Sequence, residues 1–147
     1  MYRSTKLFSG FSCCFRQWKA KDSHCRFLHG YSVQFRIVFE GDLDDKGWVC
    51  DFGGFQKNGV KELLKHYFDH TTIIATDDPD LDLFKKMQEE QIIQLRIMEQ
   101  VSTEGFAQFV WKEVNALLQK DPAHQNRVYI ISVECIENQT NSAIYLP

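Results

Sequence analysis

The sequence predicts an α+β fold, with helices laid on one face of an antiparallel sheet. Three observations carry that expectation. Tyr31 to Phe39 places apolar side chains at every second position, the mark of a strand with one buried face. Residues 60–68 and 106–118 repeat apolar side chains at helical spacing, as amphipathic helices do. Val128 to Ile136 is rich in valine, isoleucine and tyrosine and reads as a buried strand. Helices between strands, with no repeat or low-complexity tract, suit a sheet layer carrying a helix layer.

Taken in order, Leu7 to Phe15 is short, apolar and aromatic, a first strand that ends where Arg16 to Ser23 turns polar and basic. In the second strand Tyr31, Val33, Phe35, Ile37 and Phe39 face one way, while Ser32, Gln34 and Arg36 face the other. Gly41 to Gly47 is dense in turn formers, and Trp48-Val49-Cys50 resumes an extended pattern, so the two runs are expected to pair as a hairpin. Asp51 can cap a helix by accepting from first-turn N–H groups. Val60, Leu63, Leu64, Tyr67 and Phe68 define a helix ending near Asp69-His70. Gly59 weakens its start by about 1 kcal/mol relative to alanine.

Within 71–100, Asp77-Asp78-Pro79 marks a turn and Leu83 to Gln91 suits a short helix. Ile93, Leu95 and Ile97 alternate with Gln94 and Arg96, the pattern of an extra short strand. Phe106, Phe109, Val110, Val114, Leu117 and Leu118 share one face of a second amphipathic helix, capped by Ser102 or Thr103 and ended by Asp121-Pro122. The last strand runs to Glu137.

A chain of 147 residues sits at single-domain size and can bury about 70% of its unfolded surface, so residues 1–147 are expected to form one domain. The composition, 44% hydrophobic and 25% charged, is that of a globular protein. The net charge of −3 is scattered, leaving no basic footprint for nucleic acid. Five cysteines without a C-x-x-C pair suit free thiols in a reducing compartment, the cytoplasm. No secretory-type apolar run is evident, and none approaches the ~20 residues of a membrane span.

Four features bear chemistry. Cys25 precedes His29 by four residues, with His24 and Arg26 beside it; a lone cysteine is commonly an inert buried thiol, but nearby cations favour the thiolate. Asp69-His70 closes a helix, where the imidazole either answers the helix dipole or, oriented by the carboxylate, moves protons. Ser102-Thr103-Glu104 opens a helix. Glu137 shares the alternation of Tyr129, Ile131, Val133 and Cys135; if the period holds it points inward and needs a cationic or N–H partner, otherwise it is a solvated strand end.

In this order, Cys25-x-x-x-His29-Gly30, Asp51-Phe52-Gly53, Asp69-His70, Ser102-Thr103-Glu104, and Glu137 followed by Ala143-Ile144-Tyr145 resemble the motifs of the 6-pyruvoyl- and 6-carboxy-tetrahydropterin synthase family. Phe11-Ser12-Cys13-Cys14-Phe15-Arg16 is similar to that family's strand motif F-x-A-A-H-R. The resemblance implies the tunnelling fold, an antiparallel four-stranded sheet with two helices on one face. It also implies assembly through sheet edges into an oligomeric barrel, a hexamer or trimer, with active sites at subunit interfaces. Cys25 would be the proton-abstracting thiolate, Asp69 and His70 the acid/base pair, and Glu137 the acceptor for a pterin's N–H edge, helped by Ser102 and Thr103. The implied substrate is 7,8-dihydroneopterin triphosphate; the products are 6-pyruvoyl-tetrahydropterin in one branch and 6-carboxy-tetrahydropterin, leading toward 7-deazaguanine (queuosine-type) compounds, in the other.

The departures fall on the metal. The family holds zinc with three histidines, and those positions here are Phe15, His29 and Tyr31. Phenylalanine cannot ligate and tyrosine rarely binds zinc, so His29 is the one surviving family ligand. A pocket without zinc is therefore expected, the alternative being a relocated site of His24, His29 and Cys13 or Cys14. Two functions are compatible with this: a divergent lyase acting on a pterin by Cys25 and Asp69-His70 chemistry, or a non-catalytic pterin-binding or structural oligomer. The 71–100 segment exceeds what compact bacterial members of the family carry.

Overall fold

The computed structural model describes residues 1–147. Six strands form one sheet in the order β4-β3-β1-β2-β5-β6: β1 Tyr2–Phe15, β2 His29–Gly41, β3 Thr71–Ala75, β4 Leu95–Met98, β5 Val128–Ile136 and β6 Ser142–Tyr145. Three helices accompany it: α1 Val60–Phe68, α2 Leu81–Glu89 and α3 Thr103–Lys120. β1, β2, β5 and β6 pair antiparallel, the four-stranded antiparallel arrangement that the family resemblance implies, although β6 follows Glu137, where the sequence pattern ended the last strand. The 71–100 segment adds β3-α2-β4, whose two parallel strands extend the sheet from β1 at Cys13–Phe15 and account for the two extra strands and the third helix.

The second strand finds its hairpin partner upstream. β1 and β5 occupy both edges of β2, so no edge remains for Trp48-Val49-Cys50. Instead the Asp44 carboxylate accepts from the N–H groups of Lys46 at 2.9 Å and Trp48 at 3.0 Å, folding the chain into a compact turn, and Val49 and Cys50 enter the core. Asp51 caps a short 3-10 turn, Phe52–Phe55, through Gly53 N–H at 2.9 Å. α1 starts from Gly59 at φ +87°, a left-handed conformation that glycine adopts without a Cβ penalty.

α1 and α3 cover one sheet face. Phe35 meets Phe68 at 4.7 Å between ring centres, Phe15 meets Phe106 at 5.0 Å, and Phe68 meets Phe106 at 5.4 Å. Each fully buried phenylalanine contributes up to about 3 kcal/mol of hydrophobic stabilisation. β3 lacks the period-2 signature because all five of its residues are buried, as in strands covered on both faces. Ile73 and Ala75 join the main core, while Ile74 packs with Phe84 of α2 and Leu95, placing α2 on the opposite face.

The alternation expected for the last strand breaks within it. The register of β5 shifts between Ile130 and Ser132, so burial passes from Val128 and Ile130 to Val133 and Cys135. An extra residue in one strand moves the residues after it to the other face. Tyr129 and Ile131 therefore do not share the buried face with Val133 and Cys135. Glu137, in phase with the latter pair, is half-buried.

Candidate functional site

β1 and β2 bring the three family zinc positions together. Phe15 pairs with His29, and Cys13 with Tyr31, putting Phe15, His29 and Tyr31 on the helix-facing side. The ring centres lie 5.7 Å apart for Phe15 and His29, 5.6 Å for Phe15 and Tyr31, and 4.9 Å for His29 and Tyr31. His29 Nδ1 is 2.6 Å from the Phe27 carbonyl; a carbonyl only accepts, so Nδ1 donates its hydrogen there and Nε2 is the nitrogen left for other partners. The geometry of a three-ligand site is present, but two of its three rings lack an imidazole nitrogen, so these residues do not fit zinc.

The relocated site is not assembled either, since no three His, Cys, Asp or Glu side chains gather around a common point. Burial, then the neighbouring charges of Cys14 and Asp69, push the Cys13 thiol up to about 12, opposing the thiolate a metal requires. The Cys14 sulfur is 3.2 Å from Thr72 Oγ1.

Cys25 lies exposed in a 3-10 turn, His24–Arg26, capped by Ser23, whose Oγ accepts from Cys25 N–H at 3.1 Å. It is close enough to Tyr31 to act on it electrostatically. Burial, then the charge and polar contact of the Glu137 carboxylate, then Cys25, raise the Tyr31 phenol above its usual 10.0. Cys25, Tyr31 and Glu137 therefore form one polar neighbourhood beside the aromatic trio. Glu137 is anchored there by its N–H to the Asn141 carbonyl at 3.1 Å, where the chain turns into β6.

Asp69 and His70 sit at the mouth of β3. Asp69 Oδ1 accepts from Ser12 N–H at 3.2 Å and meets His70 Nδ1 at 3.0 Å. The Ser12 N–H foremost, and then His70, hold the Asp69 carboxyl below the usual carboxylate range. The His70 ring is exposed and its backbone is left-handed, φ +57°. In the order β4-β3-β1-β2-β5-β6, the pair belongs to the β3 position, Tyr31 to β2 and Glu137 to the end of β5. Strands lie about 4.8 Å apart, so roughly 10 Å separates His70 from Tyr31 and roughly 14 Å separates it from Glu137 across the sheet. One chain holds two groups of candidate residues and does not bring them into contact.

Ser102 spends its hydroxyl on capping α3, accepting from Gly105 N–H at 3.0 Å, and Thr103 Oγ1 donates to Glu104 Oε2 at 3.1 Å. Gly105 is demanded by proximity, because a Cβ there would meet the Gln100 carbonyl.

Several contacts had no local sequence signal. Arg16 Nε and Nη2 donate to Asp78 at 2.9 and 2.6 Å, Nη2 also reaches Asp80 at 2.7 Å, and the guanidinium lies over Phe84. Burial works to raise the Asp78 carboxyl, but Arg16 and the Asp80 N–H outweigh it and hold it low. These partners are more than sixty residues apart, beyond any spacing rule. The Gln94 bond to His70 O at 3.0 Å is likewise non-local.

The fold and its paired strand motifs are those of the tetrahydropterin synthase class. The profile described as 6-pyruvoyl tetrahydropterin synthase matches residues 5–147, and the chain belongs to that family. It is 36% identical over 58 residues to 6-carboxy-5,6,7,8-tetrahydropterin synthases of Rickettsia felis and Rickettsia conorii; the matched stretch covers 39% of this chain and 41% of each relative. The fold is similar to an uncharacterized protein of Wolinella succinogenes, with a TM-score of 0.82, 20% identity, and coverage of 99% of this chain and 97% of the other. It is also similar to the 6-pyruvoyl tetrahydropterin synthase of Caenorhabditis elegans, with a TM-score of 0.66, 18% identity, and coverage of 99% and 95%. At that identity these likenesses establish the fold alone.

Proposed function

We propose that this protein is a divergent tetrahydropterin synthase-type lyase acting on dihydroneopterin triphosphate or a related reduced pterin. The observation that carries the reading is the Asp69–His70 pair, oriented by Ser12 N–H with its imidazole left exposed. A charge-oriented imidazole is suited to proton transfer near neutral pH. Glu137, whose carboxylate faces the Tyr31 hydroxyl electrostatically, accepts from the pterin's N–H edge. Ser102 and Thr103 support that edge through the α3 start. The Cys25 thiolate removes a proton from the substrate side chain, and His70, oriented by Asp69, moves the proton at the facing oxygen. No step passes through zinc.

The separation of the two groups across the sheet supports a homo-oligomer, a trimer or hexamer, in which Asp69–His70 of one copy completes the Cys25 and Glu137 site of another. Five free cysteines suit a cytoplasmic setting, and no helix is long and apolar enough to cross a membrane.

The aromatic trio favours a second reading, a pterin-binding or structural oligomer without turnover, because Phe15 and Tyr31 remove the metal electrophile. Incubation with dihydroneopterin triphosphate and mass-spectrometric product analysis separates the two. The lyase reading expects wild-type product that Cys25→Ala abolishes. Bound but unchanged pterin, identical for wild type and Cys25→Ala, establishes the second reading.

A further inference from the structure

The 71–100 segment reaches the acid/base pair directly. We infer that Gln94 is a positioning residue for His70: its side-chain amide fastens the His70 carbonyl and so fixes the imidazole against Asp69. The inference rests on the reading of His70 as a proton-transfer residue.

Three restraints converge on His70. Its N–H donates to the Ser12 carbonyl, its ring meets Asp69 Oδ1 at 3.0 Å, and its carbonyl accepts from Gln94 Nε2 at 3.0 Å. At φ +57°, the backbone sits where a residue with a Cβ remains only if its surroundings hold it. The N–H and carbonyl bonds grip the two peptide units flanking the His70 Cα, and thereby set the direction of its Cβ and ring. Thr71 holds the far side of that peptide through its pairing with Cys13 and its Oγ1 bond to the Tyr67 carbonyl at 2.7 Å; release of the carbonyl removes the remaining hold on ψ and lets the ring shift from the line to Asp69.

Gln94 is itself well anchored. Its carbonyl accepts from Thr72 N–H at 2.9 Å, where β4 begins to run beside β3. The next residue, Leu95, donates its N–H to Gln88 Oε1 of α2 at 2.8 Å. Arg96 Nε donates to the His66 carbonyl near the end of α1 at 2.8 Å. The added βαβ unit thus grips the α1-to-β3 corner from outside, with the Gln94 amide aimed at the residue carrying the imidazole. Gln94 is exposed and lies outside both hydrophobic clusters, so its loss leaves the core intact.

The test uses the full chain with Gln94→Met, which keeps length and removes the donor. Turnover of dihydroneopterin triphosphate is expected to lose about ten-fold or more in kcat, since small displacements of a proton-transfer group are costly. KM is expected to stay within about two-fold, because substrate contacts are unchanged. In a His70→Ala background the same substitution is expected to remove nothing further from the residual rate, as coupling through one residue requires. Independently of turnover, Gln94→Met is expected to move the ring and backbone NMR signals of His70 and of no other histidine, with an unchanged melting temperature.

An equal kcat loss with and without His70, or His70 signals identical to wild type, overturns the inference. If the wild type does not turn over the pterin, the proposed function fails by itself, and the NMR signals still decide the placement of His70.

Discussion

Restoring the two lost histidines provides a test of the metal reading whose geometry is already set. With Zn–N bonds of about 2.0–2.1 Å, an imidazole ring centre stands about 3.2 Å from the metal, and rings at tetrahedral angles have centres about 5.2 Å apart. The rings of Phe15, His29 and Tyr31 are 4.9 to 5.7 Å apart. His29 already directs Nδ1–H to the Phe27 carbonyl, the outer contact that fixes a ligating Nε2. Phe15→His/Tyr31→His is therefore expected to bind zinc with His29 at one ion per chain. Phe15 is only 6% exposed, and replacing its ring with imidazole costs about 2 kcal/mol without metal. That lowers Tm by about 6 °C in a chain of this size. Zinc at 1,000 times its Kd returns about 4 kcal/mol, or about 12 °C. Metal analysis after desalting, and melts with and without zinc, read both effects. A folded double variant that binds no more zinc than wild type refutes the geometric reasoning. Stoichiometric zinc in the wild type, lost in His29→Ala, refutes the metal-free reading.

Arg16→Ala strands the Asp78 carboxylate, whose side chain is 1% exposed, and is expected to cost about 3–5 kcal/mol in urea unfolding, as for a broken buried pair. Asp69, Asp78 and Asp121 are all held below the usual 3.8 in the folded chain; a depressed folded pKa stabilises above the unfolded value, so unfolding free energy should be steady near neutrality and fall as pH drops through and below about 4. Glu137→Ala is expected to weaken pterin binding by roughly ten-fold or more, the weight of a hydrogen bond to a charged group, read by fluorescence titration.

The elements with periodicity are legible in the sequence. Tyr31 to Phe39, the 60–68 helix and the Ser102-capped helix stand where their spacing put them, because one-sided burial writes itself into a chain as alternation. β3 carries no alternation since both its faces are covered, and the bulge in β5 shifts the phase that Tyr129 and Ile131 suggested. Trp48-Val49-Cys50 looked extended, yet β2 had no free edge, a property of the whole sheet. Of the candidate site, the motif residues were readable one by one. Their division into two groups on either side of β1 was not, because strand order is decided by contacts distant in sequence. Gln94 and Arg16 were invisible for the same reason: each acts on a partner tens of residues away.

That division makes co-assembly the most direct test of a shared site. Cys25→Ala and His70→Ala are each expected to be inactive alone on dihydroneopterin triphosphate. Co-expressed and purified as mixed oligomers, they are expected to regain turnover, because some interfaces pair the intact Cys25 and Glu137 of one copy with the intact Asp69–His70 of another. Mixed oligomers that form and bind pterin but stay as inactive as either parent contradict a site shared between copies.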